Sequence, residues 1–219
     1  MYQGSSSKRS GIPILFPFAN PLKDDIFLAS GHKLSQHGFA RNSVFKINQI
    51  SDSSLGLILN YSYISAEMQL IYPFKFELKI ILDLSQENTL IYKMIVTNLD
   101  KQNLPIAQGI HPYFFIKQLD KKALKISNLD LQNIDWGQPN NGYFYDFSGE
   151  VTVNLDLNKT VIIKETGYNT DFQNLVIWSQ IPEGNLDYDF VCIEPFTRKT
   201  NAINDNPIIV RPGEMWVVQ

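Results

Sequence analysis

Residues 71–82, IYPFKFELKIIL, alternate aromatic and branched apolar side chains with Lys75, Glu77 and Lys79. A period of two places the two sets on opposite faces of a strand, so this stretch demands a sheet with one face buried. The alternation belongs to a longer segment, Met68 to Leu84, expected to be one strand. Val44 to Ile47, Leu55 to Ile64 and Thr89 to Asn98 read the same way, rich in residues that suit a pleated surface. Gln86-Glu87-Asn88 and Asp100-Lys101-Gln102-Asn103 are short polar connections, which makes the set an antiparallel meander.

The pattern continues toward the C-terminus. Leu124 to Ile126, Val151 to Leu157, Val161 to Lys164, Leu175 to Ser179, Phe190 to Glu194, Ile208 to Val210 and Met215 to Val218 are further strands, with a hairpin signal at Asn158-Lys159. Trp136-Gly137 and Asn141-Gly142 fall in a loop-like stretch. Near the N-terminus, Ile12 to Phe18 is apolar but interrupted by Pro13 and Pro17, which suits an extended segment at a sheet edge. No amphipathic helix of ten residues or more is expected. Ten or so strands with short turns predict an all-β sandwich or barrel in a single domain spanning residues 1–219.

The net charge is −3 and no Lys/Arg run occurs, which argues against nucleic acid and anionic membrane as partners. One cysteine, Cys192, excludes an intramolecular disulfide framework and a cysteine-based zinc cage. No apolar run has the length of a membrane span, and residues 1–10 lack a signal-peptide core, so the expected location is the cytoplasm.

The chemistry-bearing residues are few. Leu104 to Gln108 is expected to run on as a strand through Gly109-Ile110-His111, putting Ala107, Gly109 and His111 on one face until Pro112 breaks or bulges the ladder. Gly109 suits close approach by a ligand or another backbone. Glu194 closes the apolar run from Phe190 and meets Pro195, and a carboxylate there needs a partner or a use. His37 and Arg41 lie in a glycine-containing connection, residues 36–42. Asp146 follows Tyr143-Phe144-Tyr145. The structural alternatives are a satisfied half-buried His111, solvated Glu194 and Arg41, a turn-capping Asp146 and a buried apolar Cys192. A His and a Glu on facing strand ends would form an acid–base pair. His111, His37 and Glu194 could ligate a metal in principle, but no H-x-H or H-x-x-x-H spacing occurs, so neither metal nor cofactor is expected. Phe16, Phe18, Phe39, Tyr113, Tyr143 and Trp178 are candidates to face a sugar ring, most of them needed for the core.

Taken in order, several of these pieces resemble the aldose 1-epimerase (galactose mutarotase-like) family. They are residues 10–17 (SGIPILFP), 36–42 (QHGFARN), 72–76 (YPFKF), 109–114 (GIHPYF), 192–197 (CIEPFT), 201–203 (NAI) and 211–214 (RPGE). The resemblance implies an antiparallel β-supersandwich that interconverts α and β anomers of a hexose. It implies His111 as general acid at the ring oxygen and Glu194 as general base at the anomeric hydroxyl. It also implies His37, Arg41, Asp146 and Arg9 as sugar-binding residues. Ser10 replaces a family glycine beside Arg9, and Phe18 and Phe196 stand where many relatives carry Trp. Relatives carry several strands before the segment at residues 10–17, so the sheet is expected to be incomplete at its N-terminal end and clipped at the last strand. That expectation leaves Ile12 to Phe18 partly uncovered and predicts self-association through an exposed sheet edge. Two other readings stand beside a mutarotase. One is a hexose-6-phosphate 1-epimerase using cations such as Lys8, Arg9 or Arg41 on a sugar phosphate; the other is a carbohydrate-binding protein without turnover.

Overall fold

The computed structural model describes residues 10–138, 142–156, 158–167, 171–180 and 188–219. Lys8, Arg9, Asn141 and Leu157, each used in the sequence reading, lie outside these residues. Two compact units interleave along the chain. The first takes residues up to Ile14, then Gly109–Glu165 and Phe172–Thr197; the second takes Leu15–Gln108, Thr166–Asp171 and Arg198–Gln219.

The strands are short. In chain order they begin with β1 (Ile14–Leu15), β2 (Ile26–Phe27), β3 (His32–Lys33), β4 (Lys46–Gln49), β5 (Ser54–Asn60) and β6 (Phe76–Asp83). There follow β7 (Ile91–Asn98), β8 (Leu104–Ile106), β9 (Gly109–Ile110), β10 (Tyr113–Phe115), β11 (Lys125–Ile126) and β12 (Tyr143–Asp146). The last are β13 (Glu150–Asp156), β14 (Lys159–Lys164), β15 (Asn174–Trp178), β16 (Phe190–Phe196), β17 (Ile208–Val210) and β18 (Met215–Val218). Only two short α-helices occur among the described residues, α1 (Ala66–Ile71) and α2 (Ala202–Asp205). Among the described residues no helix is long and apolar enough to cross a membrane.

The second unit is built on the meander, a sheet of order β18-β7-β6-β5-β4 with every pair antiparallel. Its register repeats the alternation seen in the sequence. Leu78 opposes Leu59 and Val96, and Ile80 opposes Met94, and all five side chains are fully buried. Glu77 and Lys79 turn to the other face.

Three expectations about this unit are corrected. Met68 to Ile71 is helix, not strand: the Ser65 hydroxyl accepts the Met68 amide at 3.1 Å and caps α1. Likewise Asn60 accepts the Ser62 amide and turns Tyr61–Tyr63 into a 3₁₀ turn, which ends β5 early. The run from Leu104 to His111 is not one strand. β8 pairs with β17 in the second unit, Ala107 exchanges backbone hydrogen bonds with Pro17 and Ala19, and β9 belongs to the first unit. Ala107 and His111 therefore do not share a strand face.

The segment Ile12 to Phe18 is not uncovered either. Ile14, Leu15, Phe16 and Phe18 are all buried, and Phe16 sits in an aromatic cluster with Phe39, Tyr72 and Phe76 at centroid distances of 5.8, 6.0 and 4.9 Å. The exposed apolar side chain on a core face is elsewhere. Ile47 of β4 opposes Leu57, which opposes Ile80, so Ile47 lies on the inner face of the sheet, yet it is 71% exposed.

The first unit holds two sheets. One is β11-β13-β14; the other has the order β1-β9-β16-β15-β12, with β10 also on β16. β16 is the central strand and is buried along its whole length. It does not stop at Glu194, where the sequence reading ended it, but runs through Pro195 to Phe196, held by Leu175 and Asn174 of β15.

Candidate functional site

Backbone register creates the site. Gly109 opposes Phe196, and Tyr113 opposes Cys192. The register is the same on both sides of the gap between β9 and β10, so His111 stands opposite Glu194. The amides of His111 and Tyr113 point away from β16, to the Pro13 and Gly11 carbonyls at 3.3 and 3.0 Å. The residues that face β16 with their hydrogen-bonding groups are then Ile110, Pro112 and Phe114. Pro112 has no N–H, and neither has Pro195, which stands opposite Ile110. Each proline removes one of the two bonds its pair would exchange, and the ladder breaks without a bulge. His111 and Glu194 form the non-hydrogen-bonded pair between them, the kind in which opposing side chains approach most closely.

The result is direct contact. His111 Nε2 lies 3.4 Å from Glu194 Oε1, and both side chains are more than 90% buried. Tyr113 stacks on the imidazole at 4.9 Å and 11° between planes, and Trp178 meets it edge-on at 5.8 Å. These aromatic walls fix the ring's orientation. Burial pushes the Glu194 carboxyl well above the usual carboxylate range. A carboxylate with raised basicity beside an imidazole is equipped to take a proton at one point while its neighbour gives one at another.

Alternation sorts the other candidates on this sheet. Phe144 opposes Val176, which opposes Glu194, and Asp146 opposes Asn174, which opposes Phe196. Phe144 and the exposed Asp146 thus share the face of Glu194, Phe144 at about 10 Å for two strand spacings and Asp146 two residues further along. Tyr143 is out of phase with them and turns its hydroxyl to the Asp135 amide. Tyr143 was one of the candidate sugar-facing aromatics; it lies on the other face, and Phe144, 39% exposed, is the aromatic of this strand on the face of Glu194. Phe16, Phe18 and Phe39 are core.

His37 and Arg41 belong to the second unit. His37 is buried with a left-handed backbone, and its Nδ1 accepts the Asn20 amide at 3.4 Å. Gly38 beside it is obligatory: a Cβ there would lie 2.2 Å from the Phe16 carbonyl oxygen, and its φ is +67°. Arg41 is exposed on a 3₁₀ turn, Ala40–Asn42.

Two features of the first unit go beyond the sequence reading. Lys121 is buried, and its ammonium donates to Ser179 Oγ at 2.7 Å, to the Tyr188 carbonyl at 2.6 Å and to Gln118 Oε1. It links the residue that follows β15 to the segment that precedes β16. The other is Cys192, read as a small buried hydrophobe. Its sulfur, a nitrogen of His111 and a carboxylate oxygen of Glu194 all lie within 4.8 Å of one another, a set of donors able to hold a metal ion. The signal for it was the alternation that puts residues 192 and 194 on one face.

The aldose 1-epimerase family profile matches residues 4–174. A protein of Cenchrus ciliaris, named provisionally a glucose-6-phosphate 1-epimerase, is 26% identical over 95% of this chain and 68% of its own length. The crystal structure of the Slr1438 protein from Synechocystis sp. PCC 6803 superposes with a TM-score of 0.80 at 26% identity, covering 98% of this chain and 78% of that one. A galactose mutarotase related enzyme from Lactobacillus acidophilus gives a TM-score of 0.71 at 23% identity, covering 94% and 80%. The antiparallel all-β fold is that of the galactose mutarotase-like structures.

Proposed function

This chain belongs to the aldose 1-epimerase family, and we propose that it interconverts the α and β anomers of a hexose through His111 and Glu194. The observation that carries the reading is the buried contact between the two side chains at 3.4 Å. Mutarotation needs an acid and a base side by side, because the ring oxygen and the anomeric hydroxyl are bonded to the same carbon.

Glu194 takes the proton of the anomeric hydroxyl, and the freed pair on that oxygen becomes the second bond of the aldehyde carbonyl. The bond from C1 to the ring oxygen breaks, and its electron pair takes the proton that His111 delivers. C1 then turns about its bond to C2. On closure His111 recovers its proton from the hydroxyl and Glu194 returns its own to the carbonyl oxygen. Each group ends as it began, and no covalent intermediate forms. Burial makes Glu194 the stronger base, and imidazole, with an unperturbed pKa of about 6.5, suits the acid. Asp146, on the same face, and Phe144 receive the remainder of the sugar as hydrogen-bond acceptor and stacking surface. The family resemblance also carries sugar binding to His37 and Arg41, where alanine should raise the apparent KM.

The similarity to the Cenchrus ciliaris protein favours one variant of this reading, a hexose 6-phosphate as substrate. Anomer exchange followed by NMR on glucose, galactose and glucose 6-phosphate separates the two. His111→Asn and Glu194→Gln should each lower the catalysed exchange by about 100-fold or more. Exchange no faster than in buffer for all three sugars, with the sugars bound, would leave a carbohydrate-binding protein without turnover.

A further inference from the structure

We propose that His111, Cys192 and Glu194 form a binding site for a borderline-soft divalent cation, zinc foremost, and that the bound ion blocks the acid–base pair. The inhibitory half rests on the catalytic reading above; the binding half does not.

The geometry comes first. Zinc bonds to nitrogen, oxygen and sulfur of about 2.0–2.3 Å set neighbouring ligand atoms of a tetrahedron roughly 3.3–3.7 Å apart. His111 Nε2 and Glu194 Oε1 are 3.4 Å apart, already the spacing of two ligands on one ion. The Cys192 sulfur is within 4.8 Å of its partners, so it closes onto the same ion by a shift of about 1 Å. Cys192 and Glu194 are two residues apart on β16, and His111 stands opposite them in the gap between β9 and β10, whose flanking residues Gly109 and Tyr113 keep one register with β16.

Charge and softness agree with that geometry. A divalent ion, a thiolate, a carboxylate and a neutral imidazole sum to zero, so the closed complex places no net charge in a buried setting. The thiolate and imidazole select zinc over magnesium or calcium, which prefer all-oxygen ligands. Three protein ligands leave one position open for water. With zinc in place, the imidazole lone pair and the carboxylate are both bonded to the ion and neither can exchange a proton.

The test uses the full chain, stripped of metal with a chelator and then given Zn2+ or Co2+ alone. Cys192 is the only cysteine in the sequence, so a thiolate-to-cobalt charge-transfer band can arise from no other residue. The expected result is one equivalent of Co2+ giving that band with tetrahedral visible absorption, displaced by Zn2+. Cys192→Ser should abolish the band, and Cys192→Ser and Glu194→Gln should each weaken zinc binding, read with a fluorescent zinc indicator, at least tenfold. Anomer exchange in the parent should fall with the same midpoint as zinc binding, and added sugar should raise that midpoint. Bound Co2+ without the thiolate band, or unchanged zinc affinity in both folded variants, overturns the site. Full exchange activity with the site saturated by zinc overturns the inhibition. A protein that binds zinc through Cys192 yet never catalyses exchange contradicts the mutarotase reading and leaves the site standing.

Discussion

Gly109→Ala is the substitution that asks most of this site. The backbone of Gly109 is outside the left-handed region, so alanine brings no conformational penalty of that kind, and the question is purely one of space. An added Cβ would lie 2.4 Å from Phe196 Cδ1, 3.0 Å from its Cε1 and 3.0 Å from the Pro195 carbonyl oxygen. Carbon atoms settle at about 3.5–4.0 Å, so the ring must retreat by more than about 1 Å. It has no room to do so, because Phe196 is 1% exposed. Overpacking of this kind costs about 1–3 kcal/mol. For a chain of this size that lowers Tm by roughly 2–12 °C. The wedge also falls two residues from both His111 and Glu194, on the two strands that carry them. A displacement near 1 Å between acid and base costs on the order of 100-fold in rate. Thermal unfolding and NMR anomer exchange measure the two effects. Phe196→Leu removes the crowding ring carbons, so the double variant should be less destabilised than the sum of the singles. A Gly109→Ala protein that melts within about 1 °C of the parent and exchanges anomers at the parent's rate would refute the reasoning.

Burial holds the Glu194 carboxyl above its ordinary range, so exchange should fall as pH drops through that raised value, on an acid limb above the usual one for glutamate. The same shift has a stability consequence. Between the ordinary and raised values the folded chain keeps a proton the unfolded chain has lost, so the stability from this group is whole below about pH 4 and is lost as pH rises through the folded value. Glu194→Gln should therefore melt above the parent at pH 8 and level with it at pH 4; a constant difference between the two melting curves counts against the buried acid. Lys121→Met strands acceptors that the ammonium satisfied and should cost about 1–3 kcal/mol, read by denaturant unfolding; a neutral result would show those acceptors have other donors. We also expect concentration-dependent association through β4, reduced by Ile47→Lys, because a charge on an edge strand opposes strand pairing; a monomer at every concentration in light scattering would exclude it.

The meander was legible because its period is strict: Leu78 and Ile80 are buried and Glu77 and Lys79 turned away where the alternation put them. Met68 to Ile71 was misread because apolar residues without a period carry no strand signal of their own, and the Ser65 cap decided the matter locally. Gly109 was expected to allow a close approach, and it does, but what approaches is the Phe196 ring and the Pro195 carbonyl. The sequence set His111 and Glu194 next to prolines without showing that the two prolines flank one gap. That depends on a register between strands far apart in the chain, with Tyr113 opposite Cys192 and Gly109 opposite Phe196, which no local pattern encodes. Lys121 was invisible for a related reason: a lysine between Lys117 and Lys125 looks solvated until Ser179 and Tyr188 are folded over it.

The two prolines also set the mechanics of the site. The seam between β16 and its neighbours keeps one register, from Cys192 opposite Tyr113 on one side to Phe196 opposite Gly109 on the other. Between those points it is only half stitched, because Pro112 and Pro195 have no proton to give. Under the mutarotase proposal the unmade bonds leave slack at the level of His111 and Glu194, where a sugar oxygen enters. Substituting either proline would supply one of the two missing stitches and stiffen the seam at that level.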